Sequence, residues 1–213
     1  VTVINVAPTV NTPTVSPEPS TEGSSVIASA TFSDPGVNDA PFTCTVNYGD
    51  GSGNLPGVIS GNICTGPAHV YATFGLYTVT VSVTDKDGGA GSNAATQIVI
   101  FNWTGFFNPV DNLPAWNSAK AGSAIPVKFS LGGDKGLNIF AAGYPQSVQI
   151  ACDTGAVLGD PEPTANPGGS SISYGGGKYN YVWKTDKAWA DTCRELIVKL
   201  IDGTVQNAFF KFK

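Results

Sequence analysis

The sequence has little charge, no methionine and one histidine. Only 13% of its 213 residues are charged, and the net charge is −5. Nucleic acids and anionic membranes are bound by basic surfaces, so this balance speaks against both as partners. One histidine, His69, cannot supply the paired or clustered histidines of most zinc sites.

Long apolar runs are missing as well. No run approaches the ~20 residues that cross a bilayer. The first residues also lack the order of a signal peptide, which is charged, then apolar, then small. We therefore predict no membrane insertion, and we expect any export signal to lie upstream of residue 1.

The residues that are abundant favour strands and turns. The chain has 26 glycines and 15 prolines, and 41% of it is hydrophobic. Such a composition is poor in helix formers but rich enough in apolar residues to build cores. It predicts an all-β protein, and its length suits two domains of about 100 residues each.

Four cysteines divide evenly between the two halves. Cys44 and Cys64 are 20 residues apart, and Cys152 and Cys193 are 41 apart, with no CxxC motif. Four cysteines permit three connectivities, but two independent domains would leave only Cys44 with Cys64 and Cys152 with Cys193. This predicts disulfides and an extracellular location, the alternative being four buried free thiols in a cytosolic protein.

The first half shows about seven short alternating strands between Gly, Asp and Pro turns, which is typical of an antiparallel sandwich. Four motifs follow in order: YGDG at 48–51, HVY at 69–71, GLYTV at 75–79 and DKDGG at 85–89. Together they resemble the PKD domain, an immunoglobulin-like β-sandwich. We assign it residues 8–102. In this resemblance His69 is a packing residue.

The opening stretch, VTVINVAPTV, looks like the end of a module. Residues 1–7 resemble either the last strand of a preceding repeat or the first strand of this one, and we expect residue 1 to be a boundary within a larger secreted protein. The alternative is a free N-terminus left by signal cleavage. Residues 8–19 are expected to be an extended Thr/Pro tether without core residues. A strand here could pair with another copy of the chain by β-augmentation, through Val1, Val3, Ile4 and Val6.

The second half, residues 103–213, reads as a second small β domain. Asp202-Gly203 lies between two alternating segments, which is a strong hairpin signal, and a second hairpin is expected with Gly175–Gly177 at its tip. The stretch around Pro126-Val127-Lys128-Phe129, with KYNYVWKTD and AFFKFK, resembles the PxKF module found at the C-terminal ends of secreted bacterial proteins. That resemblance implies a structural or surface role and no defined activity.

The sequence offers no catalytic constellation, because GxSxG, HExxH and phosphate-loop motifs are absent. We therefore expect no enzyme and no required cofactor. Calcium is the one candidate ligand, since hard cations bind oxygen-rich loops. The candidate ligands are Asp34, Asp39, Asp85 and Asp87, a choice that the PKD resemblance supports. The alternative is that these residues only cap turns.

The sequence also suggests a sugar-binding platform and a glycosylation site. Exposed aromatic side chains could stack on sugars, but aromatics are also ordinary core material of small sandwiches. The candidates for such a platform are Trp103, Trp116, Trp183, Trp189, Phe106, Phe107, Tyr174, Tyr179 and Tyr181. Asn102-Trp103-Thr104 matches an N-glycosylation sequon, which matters only in a glycosylating host.

These features predict a non-catalytic structural or adhesive segment of a larger bacterial surface protein or filament, acting as a spacer or self-association unit. Its partners would be other sandwich modules, further copies of itself, or polysaccharide. The alternative is an accessory region of a secreted hydrolase that binds carbohydrate or another substrate. The two differ in context, since a catalytic domain upstream would favour the second.

Overall fold

The computed structural model describes residues 5–36, 38–167 and 172–213. The chain divides into two compact units, Val1–Phe101 and Asn102–Lys213. Both units are made of β-strands, so the predicted all-β class is confirmed. Within the described ranges no helix is long and apolar enough to cross a membrane.

The first sheet of the first unit contains six strands. Its central path runs β1-β4-β8-β7, and two more strands, β2 and β9, also pair with β4. The bounds are β1 Thr9–Val10, β2 Thr14–Ser16, β4 Ser25–Ser33, β7 Val58–Ser60, β8 Ile63–Thr65 and β9 His69–Val70. All the pairings are antiparallel.

The second sheet of this unit has five strands in the order β3-β11-β10-β5-β6. The bounds are β3 Ser20–Thr21, β5 Thr43–Asn47, β6 Asn54–Pro56, β10 Gly75–Thr84 and β11 Ala90–Ile100. The β10–β11 pair is the longest in the unit, and ten residues of each strand are paired. The short strand β3 pairs in parallel with the end of β11.

The core of the first unit lies between these sheets and follows the strand period of two. Val79, Val81 and Val83 of β10 are fully buried, as the alternation predicts. The structure buries part of Tyr77 against the core, whereas Leu76 is 74% exposed.

The predicted tether at residues 8–19 is wrong. This stretch contains β1 and β2, and Val10 is 5% exposed within the core. Pro8 also packs closely, because a Cβ on Gly91 would lie 1.8 Å from the Pro8 carbonyl oxygen. Strands of two or three residues broken by prolines give no alternating pattern, so only their pairing with β4 reveals them.

The second unit also contains two sheets. The first has the order β12-β14-β18-β17, with β12 Phe106–Phe107, β14 Ala124–Phe129, β17 Ile172–Gly175 and β18 Lys178–Lys184. The second has the order β13-β20-β19-β15-β16, with β13 Trp116–Ala119, β15 Gln146–Ile150, β16 Glu162–Pro163, β19 Cys193–Lys199 and β20 Val205–Phe212. Both predicted hairpins, β17–β18 and β19–β20, are present.

Aromatic rings fill the core of the second unit. Trp183 is fully buried. It contacts Phe210 and Phe212 edge-on, with ring centroids 5.1 and 5.9 Å away. Phe129 stacks on Tyr179 at 5.4 Å. Four of the nine residues of the predicted sugar platform, Trp183, Phe106, Tyr179 and Tyr181, are therefore core material.

Each unit contains one disulfide, with the predicted pairing. Cys44 lies in β5 and Cys64 in β8, so the bond joins the two sheets of the first unit. Cys152 follows β15 and bonds to Cys193 of the neighbouring strand β19.

Candidate functional site

Acidic residues gather at one end of the first unit, where two long strands stop. β4 ends at Ser33, directly before Asp34, and β10 ends at Thr84, directly before Asp85. The loop after β4 carries Asp39, whose backbone carbonyl accepts a hydrogen bond from the Lys86 N–H at 3.1 Å. This bond holds the two loops together, although they are about fifty residues apart in sequence.

The loops bring three of the four predicted metal ligands together. One carboxylate oxygen from each of Asp34, Asp39 and Asp85 lies within 4.8 Å of the other two. Asp87 does not belong to this group. Its carboxylate pairs with the Lys86 ammonium, and its N–H donates to Asp85 Oδ1 at 2.9 Å.

The three carboxylates repel one another, and the pKa of Asp39 shows it. Desolvation raises the pKa of Asp39 above its ordinary value, and the negative charges of Asp34 and Asp85 raise it further. Lys86 acts in the opposite direction and is outweighed. A bound cation would remove this repulsion.

Asp85 is the anchored member of the group. It is 5% exposed, and its Oδ1 accepts hydrogen bonds from the N–H groups of Asp87 and Gly89. Its Oδ2 accepts a bond from Asn5 Nδ2 at 2.9 Å. Desolvation acts to raise the pKa of Asp85, but these hydrogen bonds outweigh it and hold the pKa below its ordinary value.

The sequence pointed to the acidic residues but not to Asn5, Gly36 and Gly89, which shape the site. A Cβ on Gly36 would lie 1.7 Å from Asp39 Oδ2, and one on Gly89 would lie 2.5 Å from Asp85 Oδ2. Both positions must therefore lack a side chain for the carboxylates to converge. Their proximity to aspartates was visible in sequence, but the direction of the missing Cβ was not.

The donor set suits calcium. Calcium takes six to eight oxygen ligands at about 2.3–2.6 Å, so ligands across the ion are roughly 5 Å apart, in keeping with the spacing of these oxygens. Asp34 Oδ2 is shielded from solvent and accepts no hydrogen bond within the part of the chain that the structure describes. An unpartnered, shielded carboxylate oxygen is what a cation ligand lacking its cation would leave.

The other predicted site residues lie apart from this group. Asn102 is exposed, and Val6 is 54% exposed outside any strand, while Val1, Val3 and Ile4 lie outside the described residues. Of the predicted sugar platform, Trp116 is 39% exposed and Trp189 is half-buried. Trp103 packs against Phe106 and Phe129 of its own unit.

The comparison with family models matches the first unit. Residues 5–100 match the family model of the PKD domain. No curated protein sequence matches the chain. The matched segment ends one residue before Phe101, the last residue of the first unit.

Solved structures of low sequence identity also match this chain, with low TM-scores. The I67–I69 fragment of titin is 12% identical, with a TM-score of 0.36 over 98% of this chain and 66% of that one. The fibronectin(III)-like modules of Clostridium thermocellum CbhA are 16% identical, with a TM-score of 0.38 over 94% and 92%. The Yersinia pseudotuberculosis adhesin InvE is 13% identical, with a TM-score of 0.35 over 97% and 58%.

The fold and the family match can be stated together. The chain consists of an immunoglobulin-like β-sandwich followed by a second β-rich unit, and its first unit is similar to the PKD domain over residues 5–100.

Proposed function

We propose that this chain is a non-catalytic structural or adhesive segment of an extracellular surface protein or filament, and that it acts as a spacer and self-association unit. The observation that carries the proposal is a neutral outer sheet face on the first unit. This neutral face consists of the outward side chains of β10 and β11, namely Leu76, Thr78, Thr80, Ser82, Thr84, Ala90, Ser92, Ala94, Thr96 and Ile98.

The neutral face is regular as well as uncharged. The strand register places Thr78 opposite Thr96, Ser82 opposite Ser92, and Leu76 opposite Ile98. Among the described residues of the first unit, every Asp, Glu and Lys lies in a loop or turn and none in a strand. The Glu18 carboxylate accepts the Ile98 N–H at one end of the face. Over the rest of their area, two such faces can approach each other without bringing like charges together, which would oppose association.

Self-association is tested by sedimentation of the full chain over a range of concentrations. We expect weak, concentration-dependent association, and a Thr80→Lys variant that raises the dissociation constant at least about tenfold. The matched control is Leu158→Lys, which adds the same charge at an exposed position of the second unit. A strictly monomeric wild type, or equal effects of the two variants, would overturn the proposal.

A second route to association is β-augmentation by residues 1–6. Such a segment leaves backbone groups unpaired unless it joins a sheet. Deleting residues 1–7 and comparing assembly by electron microscopy separates this route from the neutral face. Unchanged assembly rules the route out.

The extracellular setting is supported by the two disulfides, because such bonds persist in oxidising compartments. The PxKF resemblance of residues 103–213 favours the same setting. The accessory role in a secreted hydrolase would require a catalytic domain elsewhere in the full-length protein. Sequencing the surrounding open reading frame decides between that role and a chain of sandwich repeats.

We also propose that Asp34, Asp39 and Asp85 bind calcium at the end of the first unit. Three negative charges within 4.8 Å and the unpartnered Asp34 Oδ2 support it. Because Asn5 bonds to Asp85, a bound ion would also stabilise the packing of the segment that leads into β1.

Calcium titration of the full chain by calorimetry tests this second proposal. Calcium at 100 times its dissociation constant should stabilise the folded protein by about 2.7 kcal/mol. Asp34→Asn should abolish the effect, whereas Asp87→Asn should leave it unchanged, because the Asp87 carboxylate is paired with Lys86. Equal calcium responses of the wild type and Asp34→Asn would refute the site.

A further inference from the structure

The second unit contains a cavity of about 440 Å³. The cavity is distant in sequence from Asp34, Asp39 and Asp85. Its wall combines the edge strand β16, the end of β18 and the 3-10 turn Lys187–Trp189. Cavities that bind small molecules are typically 300–1,000 Å³ and combine apolar walls with a few polar groups. We call it the Trp189 cavity, because the half-buried indole of Trp189 is the one aromatic ring among the described residues of its wall.

The side chains that line the Trp189 cavity carry charges of both signs. Two carboxylates, Glu162 and Asp186, and two ammonium groups, Lys184 and Lys187, line it. Asp186 accepts the Ala188 N–H through Oδ1, and within the described residues its Oδ2 accepts no hydrogen bond. A ligand entering the cavity would therefore meet both hydrogen-bond donors and acceptors.

A buried arginine holds Trp189 in place. Arg194 is 6% exposed, and its guanidinium carbon lies 3.9 Å from the centroid of the Trp189 ring. The same guanidinium donates to Glu162 Oε1, so it fixes a carboxylate and an aromatic ring at one wall. Arg194 Nε has no hydrogen-bond partner within the described residues. Burying a charged donor without a hydrogen bond costs free energy of folding.

This combination favours a neutral polyhydroxylated ligand. Sugar hydroxyls both donate and accept hydrogen bonds, so they can use ammonium and carboxylate groups together. The C–H face of a sugar ring can pack on an indole and on Pro163 and Ala165 of the same wall. An anionic or a cationic ligand would gain from one pair of charges and be repelled by the other.

We propose that the Trp189 cavity binds a neutral saccharide, of one or two sugar rings. The face of the Trp189 ring that Arg194 does not cover forms the stacking surface, and Asp186 and Lys187 provide hydrogen bonds at the rim. This inference does not depend on the spacer and self-association role, since it concerns another unit and another surface.

The test is a titration of the full chain with neutral disaccharides, monitored by ligand-observed NMR. The disaccharides are cellobiose, N,N′-diacetylchitobiose, maltose, lactose and xylobiose. We expect at least one to bind with a dissociation constant of about 1 mM or lower. The binding of glucose, glucuronate and glucosamine is then compared, because these sugars have rings of similar shape but different charges. We expect the neutral sugar to bind more tightly than either charged relative.

Three variants connect binding to the cavity. Trp189→Phe keeps an aromatic ring against Trp183 and Phe212 but reduces the stacking surface, and should weaken binding about fivefold. Lys187→Ala removes an exposed rim donor and should weaken binding about threefold. The matched control is Trp116→Ala, an exposed tryptophan of the same unit that does not line the cavity, and it should change binding less than twofold.

Each possible result of these titrations tests a different part of the proposal. No binding by any disaccharide at ~20 mM overturns the proposal. Tighter binding of glucuronate or glucosamine overturns the neutral ligand class. Equal weakening by Trp116→Ala and Trp189→Phe overturns the location. Near-ultraviolet circular dichroism of each variant identifies any that has lost its core packing, in which case Lys187→Ala alone decides the location.

Discussion

The Nε2 atom of His69 lies 2.8 Å from Oδ2 of Asp50, so the single histidine of the chain is tied to the turn after β5. The imidazole also stacks on Tyr48, with ring centroids 4.2 Å apart and planes 8° apart. Asp50 accepts further bonds from Ser52, which fix its carboxylate. These contacts explain why His69 is a packing residue: it joins β9 to the turn after β5.

Replacing the histidine should destabilise the first unit. His69→Ala removes one hydrogen bond and one stacked ring, which together contribute about 1–2 kcal/mol. We expect this decrease in the free energy of unfolding, measured by urea denaturation. Leu76→Ala, at a 74% exposed position, is the control and should stay near the wild type.

Asp50 should make stability depend on pH in acid. Desolvation acts to raise its pKa, but bonds from Ser52 and His69 outweigh it and lower the pKa. A pKa that is lowered in the folded state adds to the free energy of unfolding at pH values above the unfolded pKa, which is about 3.9. This contribution is lost as the pH falls through the folded pKa. Asp50→Asn should therefore flatten the stability curve below about pH 4, and an unchanged acid transition would contradict this.

Gly57 lies against the disulfide that joins the two sheets. A Cβ at this position would be 2.7 Å from Cys44 Sγ and 3.0 Å from Cys64 Sγ. Gly57→Ala should therefore force the disulfide or the strand to move, at a cost of about 1–3 kcal/mol in unfolding free energy. Gly159→Ala is the matched control, because its added methyl meets open space. Similar stabilities of the two variants would show that the site adapts.

The disulfides should stabilise the two units by different amounts. They close segments with sequence separations of 20 and 41 residues, for which the chain-entropy treatment gives roughly 3 and 4 kcal/mol. We expect the double variant Cys44→Ala/Cys64→Ala to lower the unfolding free energy of the first unit by nearly the first amount. The double variant Cys152→Ala/Cys193→Ala is the comparison for the second unit. A loss below about 1 kcal/mol in the first unit would contradict the prediction.

Neutralising one carboxylate should stabilise the calcium-free protein. Desolvation, and then the charges of Asp34 and Asp85, raise the pKa of Asp39. A raised pKa in the folded state stabilises the fold fully below the unfolded pKa, and this stabilisation is lost as pH rises through the folded pKa. Asp39→Asn should therefore raise the melting temperature at pH 7 in the presence of a chelator. At pH 3 the gain should disappear, and a gain of equal size at both pH values would show another cause.

The long alternating strands were predictable because their information is local. β10 and β19–β20 carry apolar residues at every second position, and an Asp-Gly turn separates the last two strands. The cysteine pairing could also be predicted, since each half holds one even pair. What the sequence left open was the pair of sheets that Cys44 and Cys64 connect, because strand order is a property of pairing between distant segments.

The candidate sites show the same division. The sequence by itself determined the all-β class, the even cysteine pairs and the acidic loops, because composition, spacing and alternation are written in neighbouring residues. Only the tertiary structure decided that Asp34, Asp39 and Asp85 converge while Asp87 does not, and that Arg194 packs on Trp189. These contacts join loops and strands far apart in the chain, so their geometry depends on how the sheets pack, which no local pattern contains.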